Sequence, residues 1–205
     1  LSTEPPSGKA DATYEALGEG LTFLTSPLEQ ATEITGPVAA RFFVSSETED
    51  ADIFVVLRVF NSEMREITFQ GSNDPHTPVG LGWLRASHRK LDRERTLPHR
   101  PYHTHDEKQP LKPGAVYDLD VEIWPTSIVV PKGYRIGLSV RGRDYVYPGF
   151  EQPRTPTTGR IYFGVGPFRH AHTKDRPPEV FGGKVTLHTG PNRLAYVLLP
   201  IIPDK

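Results

Sequence analysis

Cysteine is absent from the 205 residues, methionine occurs once and tryptophan twice. Without a thiol there is no disulfide framework and no thiol nucleophile, so stability has to come from a packed core. Long apolar runs are missing as well. The best, Ile53-Phe54-Val55-Val56-Leu57, is far short of the ~20 residues that cross a bilayer. No secretory leader is expected at the start, and the compartment stays open with the cytoplasm slightly favoured. Net charge is close to nil: 24 basic residues face 25 acidic ones, for −1. That total implies no polyanion-binding field, so neither nucleic acid nor membrane is expected as a partner. Helical patterning is scarce too. Ser26-Pro27-Leu28-Glu29 has an N-cap residue, proline at the first helical position and glutamate at N3, enough for one short turn.

What the chain does have is proline, 21 residues of it, about twice the ~5% average usage. Clusters of Ile, Val, Leu and aromatic residues separate the prolines, which favours many short strands over disorder. The clearest is Tyr117-Asp118-Leu119-Asp120-Val121-Glu122-Ile123-Trp124, where apolar and acidic residues alternate with the period of a half-buried strand. Ile136, Leu138 and Val140 share one face in the same way. Val130-Pro131-Lys132-Gly133 between them reads as a turn, predicting that Ile128–Val130 pairs back on Tyr134–Val140 as a hairpin. Asp52–Phe60 is apolar on both faces, which suits a central strand covered on two sides. Further strands are expected at 39–44, 67–70, 81–86, 161–163, 184–188 and 195–199. The fold class expected is all-β, a sandwich or jelly roll with long irregular loops at Lys90–Gly114 and Asp144–Arg160. Residues 1–20 read as a linker or leading arm and 21–205 as one domain. Leu1 at the start, in place of methionine, suits a piece of a longer polypeptide.

Candidate chemistry begins with histidine. In a strand, His103 and His105 would point the same way, as paired ligands do in metal-binding cupin barrels. Gln109 stands where that pattern wants glutamate, however, and Leu97 where it wants glycine. No metal and no cofactor are therefore expected, and loop-anchoring hydrogen bonds are the simpler role. His170-Ala171-His172 repeats the spacing. The acidic run Glu47–Asp52 reads as a solvated turn, with calcium binding as the alternative. No Gly-x-Ser-x-Gly elbow is present. The nearest approach, Gly137-Leu138-Ser139-Val140-Arg141, places Ser139 in a strand, as ordinary surface. No serine is expected to stand against an imidazole and a carboxylate. Among the aromatics, Trp83 is a candidate for a cleft or interface and Trp124 for the core. Tyr145, Tyr147 and Phe150 lie in an irregular stretch that favours contact with something outside the sandwich. Tyr102, His103, His105, Tyr145, Tyr147 and Phe150 are thus the candidate substrate-pocket or domain-interface residues.

Six segments, in order, are similar to the C-terminal domain of the cocaine esterase and X-Pro dipeptidyl-peptidase family. They are Glu33–Val38 with Phe43–Ser46 and Asp50–Val55, Gly82–Arg89, Pro110–Gly114, Trp124–Ser127, Pro131–Ile136 and Leu198–Pro203. The resemblance implies a jelly roll of the galactose-binding-like type following an α/β-hydrolase domain and a helical cap. The parent enzyme would use a Ser-His-Asp triad on esters or on peptides after proline, with every triad member in the α/β domain. The jelly roll would pack on that domain and help wall its pocket. Arg141-Gly142-Arg143-Asp144-Tyr145 departs from the Ser-rich segment common in relatives, so substrate contacts through that loop do not transfer. Two other function classes stand beside this reading: a stand-alone carbohydrate-binding module and a cupin-like metal-binding protein. Oligomeric state is not read.

Overall fold

The computed structural model describes residues 1–71, 74–148, 164–165 and 169–203. Eleven strands run in chain order among them: β1 (Ala10–Glu15), β2 (Leu21–Leu24), β3 (Thr32–Ser46), β4 (Asp52–Phe60), β5 (Glu66–Ile67), β6 (Gly80–Arg85), β7 (Tyr117–Val130), β8 (Arg135–Arg141), β9 (Lys184–Thr189), β10 (Tyr196–Leu198) and β11 (Ile201–Ile202). Helical structure is confined there to a 3-10 turn at Ala86–His88 and the single-turn α1 (Pro178–Phe181). None of these helices is long and apolar enough to cross a membrane.

The strands form two antiparallel sheets. In the first, β7 runs along one edge of β3, while β9, β10 and β11 follow one another along its other edge and β1 extends β9. The second sheet has the order β2-β8-β4, with β5 and β6 sharing the far edge of β4. The architecture is a β-sandwich. The alternation read from the sequence decides which side chains meet between the sheets. Val38, Ala40, Phe42 and Val44 of β3 and Leu119, Val121 and Ile123 of β7 meet Ile53, Val55 and Leu57 of β4 and Leu138 and Val140 of β8, all buried. Burying each large apolar side chain contributes about 1.5–3 kcal/mol against chain entropy.

All nine residues of β4 are buried. Its outward set, Phe54, Val56, Arg58 and Phe60, is buried as well, with His170 and Arg176 against Phe54 and Tyr145 against Arg58, so the expected two-sided covering is present.

Several expectations are corrected. The hairpin around Pro131–Gly133 does not form: β7 pairs with β3, and β8 pairs with β2 and β4 in the opposite sheet. The turn carries the chain across the sandwich, held by the Gly133 N–H to the Leu28 carbonyl and the Leu28 N–H to the Tyr134 carbonyl. The same two bonds keep Ser26–Glu29 extended, so the helical turn expected there is absent. β7 does not end at Trp124. It runs through Pro125 because the ladder is irregular between Gly36 and Val38, where a proline's missing N–H breaks no ladder bond. Trp124 is consequently 70% exposed, not core. Ala10–Glu15, within the expected arm, pairs along its whole length with β9. The expected strand 161–163 lies outside the described residues.

Candidate functional site

Of the two long connections, Lys90–Gly114 lies wholly within the described residues, and its own backbone orders it. It doubles back on itself through a bridge between Leu91 and His103 and a tight reversal at Leu97–Arg100. The Asp92 N–H donates to the Tyr102 carbonyl at 2.8 Å, and the Thr104 N–H to the Lys90 carbonyl at 3.1 Å. The segment then returns to the sandwich where the Gln109 and Leu111 N–H groups meet the Ser87 and Glu49 carbonyls. Its Leu91, Leu97 and Pro98 roof a small cleft over the outer face of the first sheet, floored by Arg41, Asp120 and Tyr196. Arg41 and Asp120 form a two-pronged ion pair at 2.7 and 2.6 Å there.

The candidate residues divide. Tyr102 is exposed, with Arg95 over its ring at 5.2 Å and donating to its hydroxyl at 3.1 Å. His103 turns inward. Burial, with the neighbouring His105 imidazole, pushes its pKa down, and its Nε2 is buried without a hydrogen-bond partner. His105 takes a left-handed backbone with φ of 52° and turns to His88, the two Nδ1 atoms lying 3.2 Å apart. The same-way pointing expected of His103 and His105 does not occur, because they are not on one strand. Beside them Thr104 and Lys90 hold the exposed Asp106 carboxyl down to about 2.

Tyr145 is 1% exposed, its ring between Arg58 and Arg141 at 5.6 and 5.9 Å from their guanidinium carbons. Burial, reinforced by the Glu66 carboxylate, pushes its phenol upward. The ring is therefore committed to the interior and not to an outside partner. Tyr147 stacks on His76 at 4.1 Å, and Phe150 lies outside the described residues. Trp83 is 43% exposed and stacks on His170 at 4.4 Å. Ser139 is fully buried. Its hydroxyl pairs with Thr22 at 2.7 Å and accepts from Arg58 at 3.2 Å, so the expected surface position is wrong and no substrate reaches it.

The acidic run Glu47–Asp52 is engaged within the fold. Glu47 accepts the Lys184 N–H. One Asp50 oxygen accepts the Ala51 and Ser87 N–H groups. Asp52 pairs with Arg85 and Arg176. Among the described residues no group of three His, Asp or Glu is arranged to hold a metal ion.

One constellation had no signal in the sequence. On the outer face of the first sheet, Ser45 Oγ lies 2.8 Å from His188 Nε2, and His188 Nδ1 lies 2.8 Å from Asp11 Oδ1. Residues on β3, β9 and β1 thus reproduce the order of a nucleophile, base and orienting carboxylate, contrary to the expectation that no such set exists. Two requirements of acyl transfer are missing. Ser45 sits in the ladder opposite Thr186, where strand amides bond their neighbours and are not aimed together at a developing oxyanion; losing such donors costs about 10²–10³ in rate. Asp11 is also 63% exposed, so water competes for the carboxylate that should fix the imidazole. The chain of bonds is a cross-strand polar ladder joining three strands. The purified chain is therefore expected to show no turnover of an activated aryl ester above buffer, with Ser45→Ala unchanged. Turnover lost in Ser45→Ala would make the trio catalytic.

A family model described as the X-Pro dipeptidyl-peptidase C-terminal non-catalytic domain matches residues 2–197. A protein named "Putative serine esterase" from Mycobacterium bovis is 30% identical over 150 residues, covering 69% of this chain and 22% of the relative. Among solved structures, a CocE/NonD family hydrolase from Staphylococcus aureus superposes on 98% of the chain with a TM-score of 0.82 at 22% identity, over 34% of its own length. An α-amino acid ester hydrolase is similar at a TM-score of 0.58 and 16% identity, again over 34% of its length. At these identities the structures speak for the fold. The chain spans about a third of the solved proteins and less of the curated relatives.

Proposed function

Because the chain belongs to the family of X-Pro dipeptidyl-peptidase C-terminal non-catalytic domains, we propose that it serves a larger serine hydrolase as an accessory β-sandwich packed against the catalytic domain. The observation that carries this is the family match over residues 2–197. Its complement is that the only serine–imidazole–carboxylate set found among the described residues lacks an oxyanion site. The sandwich is read as a jelly roll of the galactose-binding-like type. Its partner is an α/β-hydrolase domain of the same polypeptide acting on small esters or on peptides after proline.

Within that reading the Lys90–Gly114 segment is the wall offered to the catalytic domain. Tyr102 and His105 are exposed on it, with His103 supporting them from behind. Tyr145 backs the second connection from the interior, and Tyr147 of that connection stacks on His76.

The test is to express the complete polypeptide that encodes this chain and assay it beside the chain alone, with aryl esters and X-Pro anilides. Hydrolysis is expected only from the complete polypeptide. It should depend on a serine in a Gly-x-Ser-x-Gly elbow outside these 205 residues. Tyr102→Ala in the complete enzyme should raise KM more than it lowers kcat. Equal hydrolysis by the isolated chain would overturn the proposal.

A further inference from the structure

In a half-buried antiparallel sheet the outward positions are ordinarily polar. The first sheet obeys this at one end only. Where β3 meets β9 and β1, the outward side chains are Ser45, Thr186, His188 and Thr13. Towards the start of β3 they turn apolar. Val129 and Ile202 flank Glu33, while Leu198 and Tyr196 stand beside Ala39 and Arg41. Trp124 follows Glu122 at the next outward position of β7. In that order the exposures are 62, 42, 38, 39 and 70%. Single exposed apolar residues are common on monomers, but five sharing one end of a sheet face mark a contact surface.

Three features identify its occupant. The chain spans about a third of the solved proteins of similar fold, and its family is described as a C-terminal domain. On the accessory-domain reading the rest of the enzyme therefore joins at Leu1. The Leu1 nitrogen lies 2.6 Å from the Leu24 carbonyl, and Leu24 pairs with Gly137 close to the Pro131–Gly133 turn. That turn follows Val130, the partner of Thr32, so the joining polypeptide arrives at the end of the sandwich that carries Val129 and Ile202. The apolar face also adjoins the Lys90–Gly114 wall, since Tyr196 floors the cleft that Leu97, itself exposed, helps to roof. Finally, Glu33 and Glu122 stand exposed among these side chains and are in no ion pair among the described residues. That suits a covering surface that brings basic side chains.

We propose that this apolar end of the outer sheet face seats the catalytic domain of the same polypeptide, against a surface that is apolar at its centre and basic opposite Glu33 and Glu122. The inference rests on the accessory-domain reading and deepens it by naming the sheet face that is covered. Trp124 is its central anchor, because a large ring buried in a complementary pocket dominates the energy of such contacts. The Lys90–Gly114 segment forms the rim of the same interface. The second sheet, where Trp83 is 43% exposed, stays outside it.

The test is hydroxyl-radical footprinting of the complete polypeptide, read by peptide mass spectrometry at Trp124 and Trp83. On a free surface Trp124, the more exposed of the two, would oxidise faster. Docked, it should oxidise at least ~5-fold more slowly than Trp83, because the core of an interface excludes water. The lag should persist at dilutions where light scattering reports a monomer. Val129→Arg, at a side chain that the sandwich leaves exposed, should return Trp124 to the faster rate. If the polypeptide hydrolyses esters or X-Pro anilides while Trp124 oxidises as fast as Trp83, or while Val129→Arg changes nothing, this inference alone is overturned. A lag that vanishes on dilution to monomer also overturns it and gives the face to a second copy. A complete polypeptide without serine-dependent hydrolysis overturns the accessory-domain reading instead, and this inference with it.

Discussion

Replacing Asp52 by alanine is expected to lower the unfolding free energy by about 3–5 kcal/mol, the range for removing one partner of a buried ion pair. The Asp52 side chain is fully buried and receives Arg85 at 2.9 and 3.0 Å and Arg176 at 2.7 Å. Loss of the carboxylate leaves two guanidinium groups facing each other. Arg176, 8% exposed, cannot turn to water without abandoning the His170 and Gly142 carbonyls that it also bonds. Those bonds, with the packing of Arg85 over Phe181 at 4.4 Å, tie residues 170–181 to β4. Asp52→Ala should therefore also free the cleft of about 360 Å³ that Glu19, Arg143, Asp144, His170 and Arg176 line. Urea denaturation measures the stability change, and amide exchange across 169–182 measures the loosening. A loss below ~1 kcal/mol would mean that water screens the pair as it does at a surface.

Gly142→Ala is the second large effect, expected to cost about 3 kcal/mol or more. A Cβ there would stand 1.9 Å from the Ala16 carbonyl oxygen and 2.4 Å from its carbon. These are backbone atoms that no rotamer change can move aside. Across the same joint, Gly20 has φ of +72° and would place its Cβ 1.9 Å from the Val140 carbonyl. The two glycines let the lead-in to β2 cross the end of β8 in direct backbone contact. Glu19 closes the crossing through ion pairs with Arg141 and Arg143. Gly114→Ala is the control. Its φ is +78° with no atom within 4 Å, so only the left-handed backbone is penalised, by about 1–2 kcal/mol. Equal losses at Gly114 and Gly142 in thermal or urea unfolding would show that backbone freedom, not the close approach, sets the cost.

That crossing also shows where local reading stopped. A polar, proline-rich start carries no alternation strong enough to predict a strand, yet Ala10–Glu15 pairs residue for residue with Lys184–Thr189. Its partner lies some 170 positions away, and pairing at that distance leaves no periodic mark.

Alternation along β7 and β8, double-sided apolarity of β4 and proline-rich bends were enough, by themselves, to determine an all-β sandwich with these inward faces. The six ordered segments were enough to determine the family, because both properties are local in the chain. Tertiary structure alone decided that the turn at Pro131 bridges two sheets, since turn chemistry reverses a chain without choosing its neighbour. It alone turned Ser139 inward against Thr22 and Arg58 and laid Tyr145 over β4. And only strand pairing could set Ser45 against His188 and Asp11, or His105 against His88, because those distances depend on register between segments that share no pattern in sequence.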